Sequence, residues 1–221
     1  MPFENRADAG RQLAKALERY KGPDTVVLAL PRGGIPVAAE IAARLGAPLD
    51  LILVRKIGVP FQPELAMGAV VDGDTPLVVR NKDVILLSGV DEAKFQTICD
   101  HELAEIERRR KVYLGHRPRA EIKEKIAIVV DDGIATGATM RAALQSTRRH
   151  HPKTLVLAVP VAPSSTLEHL RHEVDELVCL EDYEPFNAIG LYYADFRQLT
   201  DHDVIDLLNR RATGVDAKLP E

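Results

Sequence analysis

Apolar residues fall along this chain in two rhythms. Short runs occupy residues 25–30 (Thr-Val-Val-Leu-Ala-Leu), 49–54 (Leu-Asp-Leu-Ile-Leu-Val), 126–130 (Ile-Ala-Ile-Val-Val), 154–161 and 174–180. They are too short for helices and rich in branched side chains, which predicts strands buried in a sheet. Elsewhere apolar positions recur every three or four residues, the spacing of a helix with one buried face. Ala9, Leu13, Ala16, Leu17 and Tyr20 do so within 5–20, which Lys21-Gly22-Pro23 ends. The same spacing predicts helices over 35–45, over 91–113 (Phe95, Ile98, Cys99, Leu103, Ile106, Tyr113) and from Met140 onward. Further helices are expected from Pro163 to about His172, with a hydroxyl as cap, and over 200–209, capped by Thr200 or Asp201. Residues 57–68 hold two glycines and two prolines and predict a mobile loop. Residues 69–71 and 76–79 predict a hairpin turning at Asp72-Gly73-Asp74-Thr75. After Arg211 the chain is expected to fray. Strands alternating with helices predict an α/β fold, a mostly parallel sheet with helices on both faces.

Composition narrows the classes. With 221 residues, 46% hydrophobic and 28% charged, the chain suits one globular domain with a sizeable core. A net charge of −4 gives no overall basic field and argues against nucleic acid as a partner. Cys99 and Cys179 lie far apart without a paired ligand pattern, so neither zinc nor a disulfide framework is indicated. The N-terminal stretch has no apolar signal core, and no run approaches the roughly 18 apolar residues of a membrane span. A cytoplasmic protein with no membrane partner is the expectation. The basic residues Arg108, Arg109, Arg110, Lys111, His116, Arg117 and Arg119 read as a solvated helix end that complements the dipole. His101-Glu102 lacks the second histidine of a zinc-protease helix.

Candidate chemistry gathers where strands end. The run 126–130 gives way to Asp131 and Asp132, then to Gly133-Ile134-Ala135-Thr136-Gly137-Ala138-Thr139 and a helix. A tight turn followed by a helix N-terminus aims backbone N–H groups at one spot and makes an anion site. Carboxylates beside it would repel an anion unless they address its hydroxyls or a bridging divalent cation, which fits a sugar phosphate with a metal. The plainer alternative is that the aspartates cap a helix and the glycines make a turn. Run 25–30 ends similarly in Pro31-Arg32-Gly33-Gly34, a second glycine turn carrying its own cation. Arg55 and Lys56 close run 49–54, and Glu64 is the only carboxylate of the loop 57–68. Phe186, Tyr192, Tyr193 and Phe196 cluster late in the chain, where they either stack on a planar acceptor or cover the end of the sheet.

Val-Val-Asp-Asp-Gly-Ile-Ala-Thr-Gly-Ala-Thr, residues 129–139, resembles the 5-phosphoribosyl 1-diphosphate (PRPP) motif of type I phosphoribosyltransferases at every restricted position. The resemblance covers roughly 24–182 as a core. It implies an insertion over about 74–120 and a small hood from 1–23 and 183–212. It implies a pentosyltransferase moving the phosphoribosyl group of PRPP to a nucleobase-like acceptor, with pyrophosphate released and Mg²⁺ as cofactor. Asp131 and Asp132 would hold the ribose hydroxyls, directly or through the metal. Gly133, Ala135, Thr136, Gly137, Ala138 and Thr139 would hold the 5-phosphate. Arg32, Gly33, Gly34, Arg55 and Lys56 would take the pyrophosphate, and the first of these loops often holds a non-proline cis peptide. Arg55-Lys56 resembles the opening of the mobile catalytic loop of adenine and orotate enzymes, and Glu64 could fill the role of the adenine enzymes' loop glutamate. Ala135 stands where hypoxanthine-guanine enzymes carry an aspartate. The tail and insertion resemble a group of predicted bacterial phosphoribosyltransferases whose acceptor is unassigned. Relatives of this kind are often dimers, so a homodimer is compatible. Two other classes stay open: a non-catalytic PRPP-binding regulator, and a hydrolase of PRPP or a related sugar phosphate.

Overall fold

The computed structural model describes residues 2–73 and 75–212. Asp74 and the expected fraying of 213–221 lie outside the described residues. Helix α1 (Arg6–Ala16) is capped by the Asn5 side chain, which accepts from the Asp8 amide at 2.9 Å. Strand β1 (Thr25–Ala29), helix α2 (Gly34–Leu45) and the short strand β2 (Leu49–Leu51) follow. An arm comes next: β3 (Val54–Val59), β4 (Gln62–Val71), β5 (Leu77–Arg80), α3 (Lys82–Ser88) and the long α4 (Glu92–Leu114). The chain then returns through β6 (Ile126–Val130), α5 (Ala138–Arg149), β7 (Thr154–Pro163), α6 (Ser164–Leu170), β8 (Glu176–Tyr183) and α7 (Asp201–Ala212).

The main sheet is parallel throughout, in the order β2-β1-β6-β7-β8. Alternate strand residues feed two cores, as the period-2 pleat requires. Val27, Ala29, Ile128, Val130 and Val156 face α1, α2, α4 and α7. Val26, Leu28, Ala127, Val129 and Leu157 face α5 and α6. The chain winds outward from β1 to β2 and then in the opposite direction from β6 to β8, so the order reverses between β1 and β6. In open α/β sheets ligands bind at such a reversal, outside the carboxyl ends of the strands.

Several expectations need correction. Run 49–54 is not one strand: β2 stops at Leu51, because the Leu53 amide leaves the sheet to donate to Asp72 Oδ1 at 2.8 Å. Arg55 and Lys56 therefore do not close a core strand but open the arm. Residues 57–68 do not form an irregular loop; β3 and β4 pair antiparallel, with irregular register at Ile57, Gly58 and Val59. Ile57, Val59 and Met67 alternate into the core, a period-2 signal hidden by the prolines and glycines around it. The hairpin at 69–79 extends this sheet, with Val71 opposite Leu77. Helix α3 had no apolar periodicity to reveal it, since it buries no residue, but its Asn81 cap and left-handed Gly89 are helix-end signals. No hydroxyl caps α6; Ser164 and Ser165 donate instead to Asp182 and Glu184. Thr200 and Asp203 form a reciprocal cap for α7.

The basic run is not uniformly solvated. Arg110 is buried, and its guanidinium sits 3.1 Å from both Asp50 and Asp72. Arg119 adds a 2.5 Å bond to Asp72, and the Ala120 amide donates to Asp50 at 2.7 Å. Its spacing from Ile106 and Tyr113 puts Arg110 on the apolar face of α4, a signal masked by the run of basic residues, whereas Arg108 pairs at the surface with Glu105. The buried network fastens the arm and α4 to the sheet edge at β2.

Candidate active site

Strands β1 and β6 deliver their following loops to the reversal point. After β1 the chain makes Pro31–Gly34, and the Pro31-Arg32 peptide is cis. After β6 it makes Asp131–Gly137, and α5 begins behind a left-handed Gly137 with φ 75°. α5 has no side-chain cap, so its first-turn amides remain available to an anion. Those of α2 are not: the Gly34 and Ile35 amides donate to the Leu30 and Arg32 carbonyls, and Pro36 has none. Thr136, Ala138 and Thr139 are exposed on the second loop. Thr166 braces that loop, donating to the Ala135 carbonyl at 2.9 Å.

The two loops touch. A Cβ on Gly33 would fall 2.1 Å from Asp132 Oδ2, and one on Gly34 would fall 2.8 Å from the Val130 carbonyl. These glycines are therefore required by the packing of one loop on the other, whatever they also offer a ligand. Gly34→Ala pushes a methyl group against backbone and is expected to cost about 1–3 kcal/mol of stability. An unshifted urea midpoint for that variant would contradict the packing argument.

An open pocket of about 400 Å³ lies between the loops, lined by Arg6, Pro31, Arg32, Gly33, Asp131 and Asp132, with Phe196, Gln198 and Leu199 closing it. Asp132 is 7% exposed, and its Oδ2 accepts from Arg6 Nε at 2.6 Å. The Tyr193 hydroxyl donates to the Asp132 carbonyl at 2.6 Å, and the Asp132 amide donates to Asp131 Oδ1 at 2.9 Å. Burial, and next the charge of Asp132, push the Asp131 carboxyl well above its ordinary pKa. Arg32 donates to the Leu199 carbonyl at 2.7 Å and stands 3.8 Å from Asp201. Tyr113 donates to the same Asp201 at 2.6 Å, and burial, followed by that bond, raises its hydroxyl to about 12.

The arm residues are not part of this pocket wall. Arg55 pairs with Glu102 of α4 at 2.6 Å, and Lys56 pairs with Glu64 across the hairpin at 3.0 Å. Of the late aromatics, Phe196 alone lines the pocket. Its ring lies 3.8 Å beneath the Arg6 guanidinium and 5.0 Å from Tyr193. Phe186 and Tyr192 stack on each other, and Tyr192 also stacks on Tyr183.

The family described as Phosphoribosyl transferase domain matches residues 3–196, nearly the whole described chain. The chain belongs to this phosphoribosyl transferase family. Two Mycobacterium tuberculosis proteins, from strains CDC 1551 and H37Rv, are each 45% identical to it over 208 residues, and their names assign them provisionally as phosphoribosyl transferases. The match takes in 94% of this chain but 46% of each relative, so the chain spans about half the length of these curated relatives. The crystal structure of TT1426 from Thermus thermophilus is 40% identical, with a TM-score of 0.79, covering 94% of this chain and 98% of that one. The AQ2163 protein of Aquifex aeolicus shares the fold at 14% identity, with a TM-score of 0.51 over 92% of this chain and 84% of that one. The parallel five-stranded core with flanking helices is the type I phosphoribosyltransferase architecture. Among the described residues no helix is long and apolar enough to cross a membrane.

Sequence reasoning missed Arg6 and Thr166 at this candidate site and placed Tyr193 there for its ring alone. Arg6 pairs with Asp132, and nothing local signals a partner so distant in sequence. Tyr193 was grouped with the late aromatics as a ring, although its hydroxyl reaches Asp132. Thr166 was read as a cap candidate, yet it supports the Ala135 carbonyl instead.

Proposed function

We propose that this chain transfers the 5-phosphoribosyl group of PRPP to a nucleobase-like acceptor. The carrying observation is the convergence of Arg32 and two carboxylates on one pocket at the sheet's reversal point, next to the loop that leads into the uncapped N-terminus of α5. In the reaction the bond from C1 to the pyrophosphate oxygen breaks, and a nitrogen of the acceptor bonds C1 in its place. The leaving group carries away the electron pair. Amides and hydroxyls from Gly133 to Thr139 would hold the 5-phosphate. Gly33, Gly34 and Arg32 would receive the pyrophosphate, with Arg55 and Lys56 reaching it from the arm. Glu64 would handle a proton of the acceptor once the arm closes.

Asp131 and Asp132 would bind ribose hydroxyls and favour the positive charge that develops on the ring. Hard carboxylate oxygens suit Mg²⁺, but no group of three or more candidate ligands exists among the described residues. The two aspartates would therefore hold the ion together with oxygens of PRPP itself. Once bound, Mg²⁺ would neutralise charge on the departing pyrophosphate.

Calorimetric titration with PRPP and Mg²⁺ should show saturable binding. Pyrophosphate should then be released only when a suitable purine or pyrimidine base is added. Binding without release for any base would favour the PRPP-binding regulator. Release with no base present would favour the hydrolase, and no binding would remove the PRPP reading altogether.

A further inference from the structure

Arg6 has no place in the phosphate and pyrophosphate chemistry above, yet it is one of the few buried charged side chains of the molecule. It opens α1, and its guanidinium makes three different contacts. Nε meets Asp132 Oδ2 at 2.6 Å, Nη1 donates to the Arg197 carbonyl at 2.9 Å, and the planar face covers Phe196 at 3.8 Å. The side chains of Arg6 and Asp132 are only 10% and 11% exposed, so solvent hardly screens the pair. Arg6 also stands between two cavities. One is the pocket that holds Asp131 and Asp132, and the other is a cavity of about 330 Å³ lined by Asn5, Pro36, Asp195 and Arg197 among others.

We infer that Arg6 is a positioning residue: it fixes the Asp132 carboxylate for the ribose hydroxyls and ties that carboxylate to the segment 195–199 bordering the pocket. The inference rests on the phosphoribosyl reading of the site. Asp132 is held from several sides at once. Tyr193 grips its carbonyl, Asp131 takes its amide, and Gly33 lies against its carboxylate. Only Arg6 restrains the oxygen Oδ2 by a charged bond. An arginine suits this task because its fork serves the carboxylate and the Arg197 carbonyl while its flat face rests on a ring. A lysine offers one point charge and cannot meet all three demands. A carboxylate free to turn would present the wrong geometry to ribose while leaving the pyrophosphate loop in place.

The test compares wild type, Arg6→Gln and Arg6→Lys by calorimetry with two probes in the presence of Mg²⁺: PRPP and inorganic pyrophosphate. Arg6→Gln is expected to weaken PRPP binding on the order of 10-fold, about 1.4 kcal/mol. Its affinity for pyrophosphate should fall far less, because Arg6 makes no contact with the loop 31–34 except through the Asp132 carboxylate. Arg6→Lys should melt near wild type and still bind PRPP weakly. Equal losses for both probes in either variant would make Arg6 a merely structural residue and overturn the inference, as would full PRPP affinity in Arg6→Gln. Failure of the phosphoribosyl reading looks different: wild type itself would bind no PRPP, and the inference would fall with that reading.

Discussion

Replacing Asp131 by asparagine is expected to lower phosphoribosyl transfer by about 100- to 1000-fold, the usual cost of losing one electrostatic group aimed at developing charge. The same change should leave the fold at least as stable as wild type at neutral pH. Both outcomes have one cause. Burial and the neighbouring Asp132 raise the Asp131 pKa, so the folded protein bears the cost of ionising a carboxylate that the unfolded chain ionises freely. Below the ordinary carboxylate value of 3.8 the group is protonated in both states and the fold is unpenalised. As pH rises from there through the folded pKa, the folded state binds more protons than the unfolded state, and that stability is lost. Asparagine removes the titration, and its oxygen can still accept the Asp132 amide. Thermal melts across the acid-to-neutral range should therefore show a flatter dependence for Asp131→Asn. A variant markedly less stable than wild type at neutral pH would contradict this account. Asp132→Asn should differ, because it strips Arg6 of its buried partner and should destabilise the fold as well as the activity.

Arg110→Ala carries the largest expected loss of stability, about 3–5 kcal/mol, since it leaves buried Asp50 and Asp72 without their shared cation. In a chain of this length each kcal/mol moves the melting temperature by about 2–4 °C, so the drop should be plain in a melting curve. Arg108→Ala is the matching control, because its ion pair with Glu105 lies at the surface and its loss should go almost unnoticed. Similar melting temperatures for the two variants would mean that the network at β2 contributes nothing beyond an ordinary surface pair. Arg119, on the same Asp72, would absorb part of that charge.

What the sequence disclosed follows from how local each signal is. The strand Ile126–Val130, its two aspartates and the small-residue turn are contiguous, so a short stretch of text carries both the element and its chemistry. The same holds for β1 and the Arg32-Gly33-Gly34 turn. The arm was less legible because Pro60, Pro63, Gly58 and Gly68 carry loop signals that outweigh the alternation of Ile57, Val59 and Met67. Long-range polar pairings were not legible at all. Nothing in the text of α1 tells that Arg6 meets Asp132, and although its spacing from Ile106 and Tyr113 sets Arg110 on the apolar face of α4, nothing there names Asp50 and Asp72 as its partners. Such pairings are settled by where elements dock.

The pairing of Phe3 with Tyr193 bears on how this protein comes into being. Strands β1 and β6, with both their anion loops, lie in the first two thirds of the chain and leave the ribosome early. The carbonyls of Arg197 and Leu199, which hold Arg6 and Arg32, leave it after both loops. Until they arrive, two arginines in the pocket lack their anchors, and Asp132 lacks the tyrosine hydroxyl on its backbone. A nascent chain can therefore build β1, β6 and both loops without acquiring a finished pocket, and competence waits for residues 193–199 to follow them.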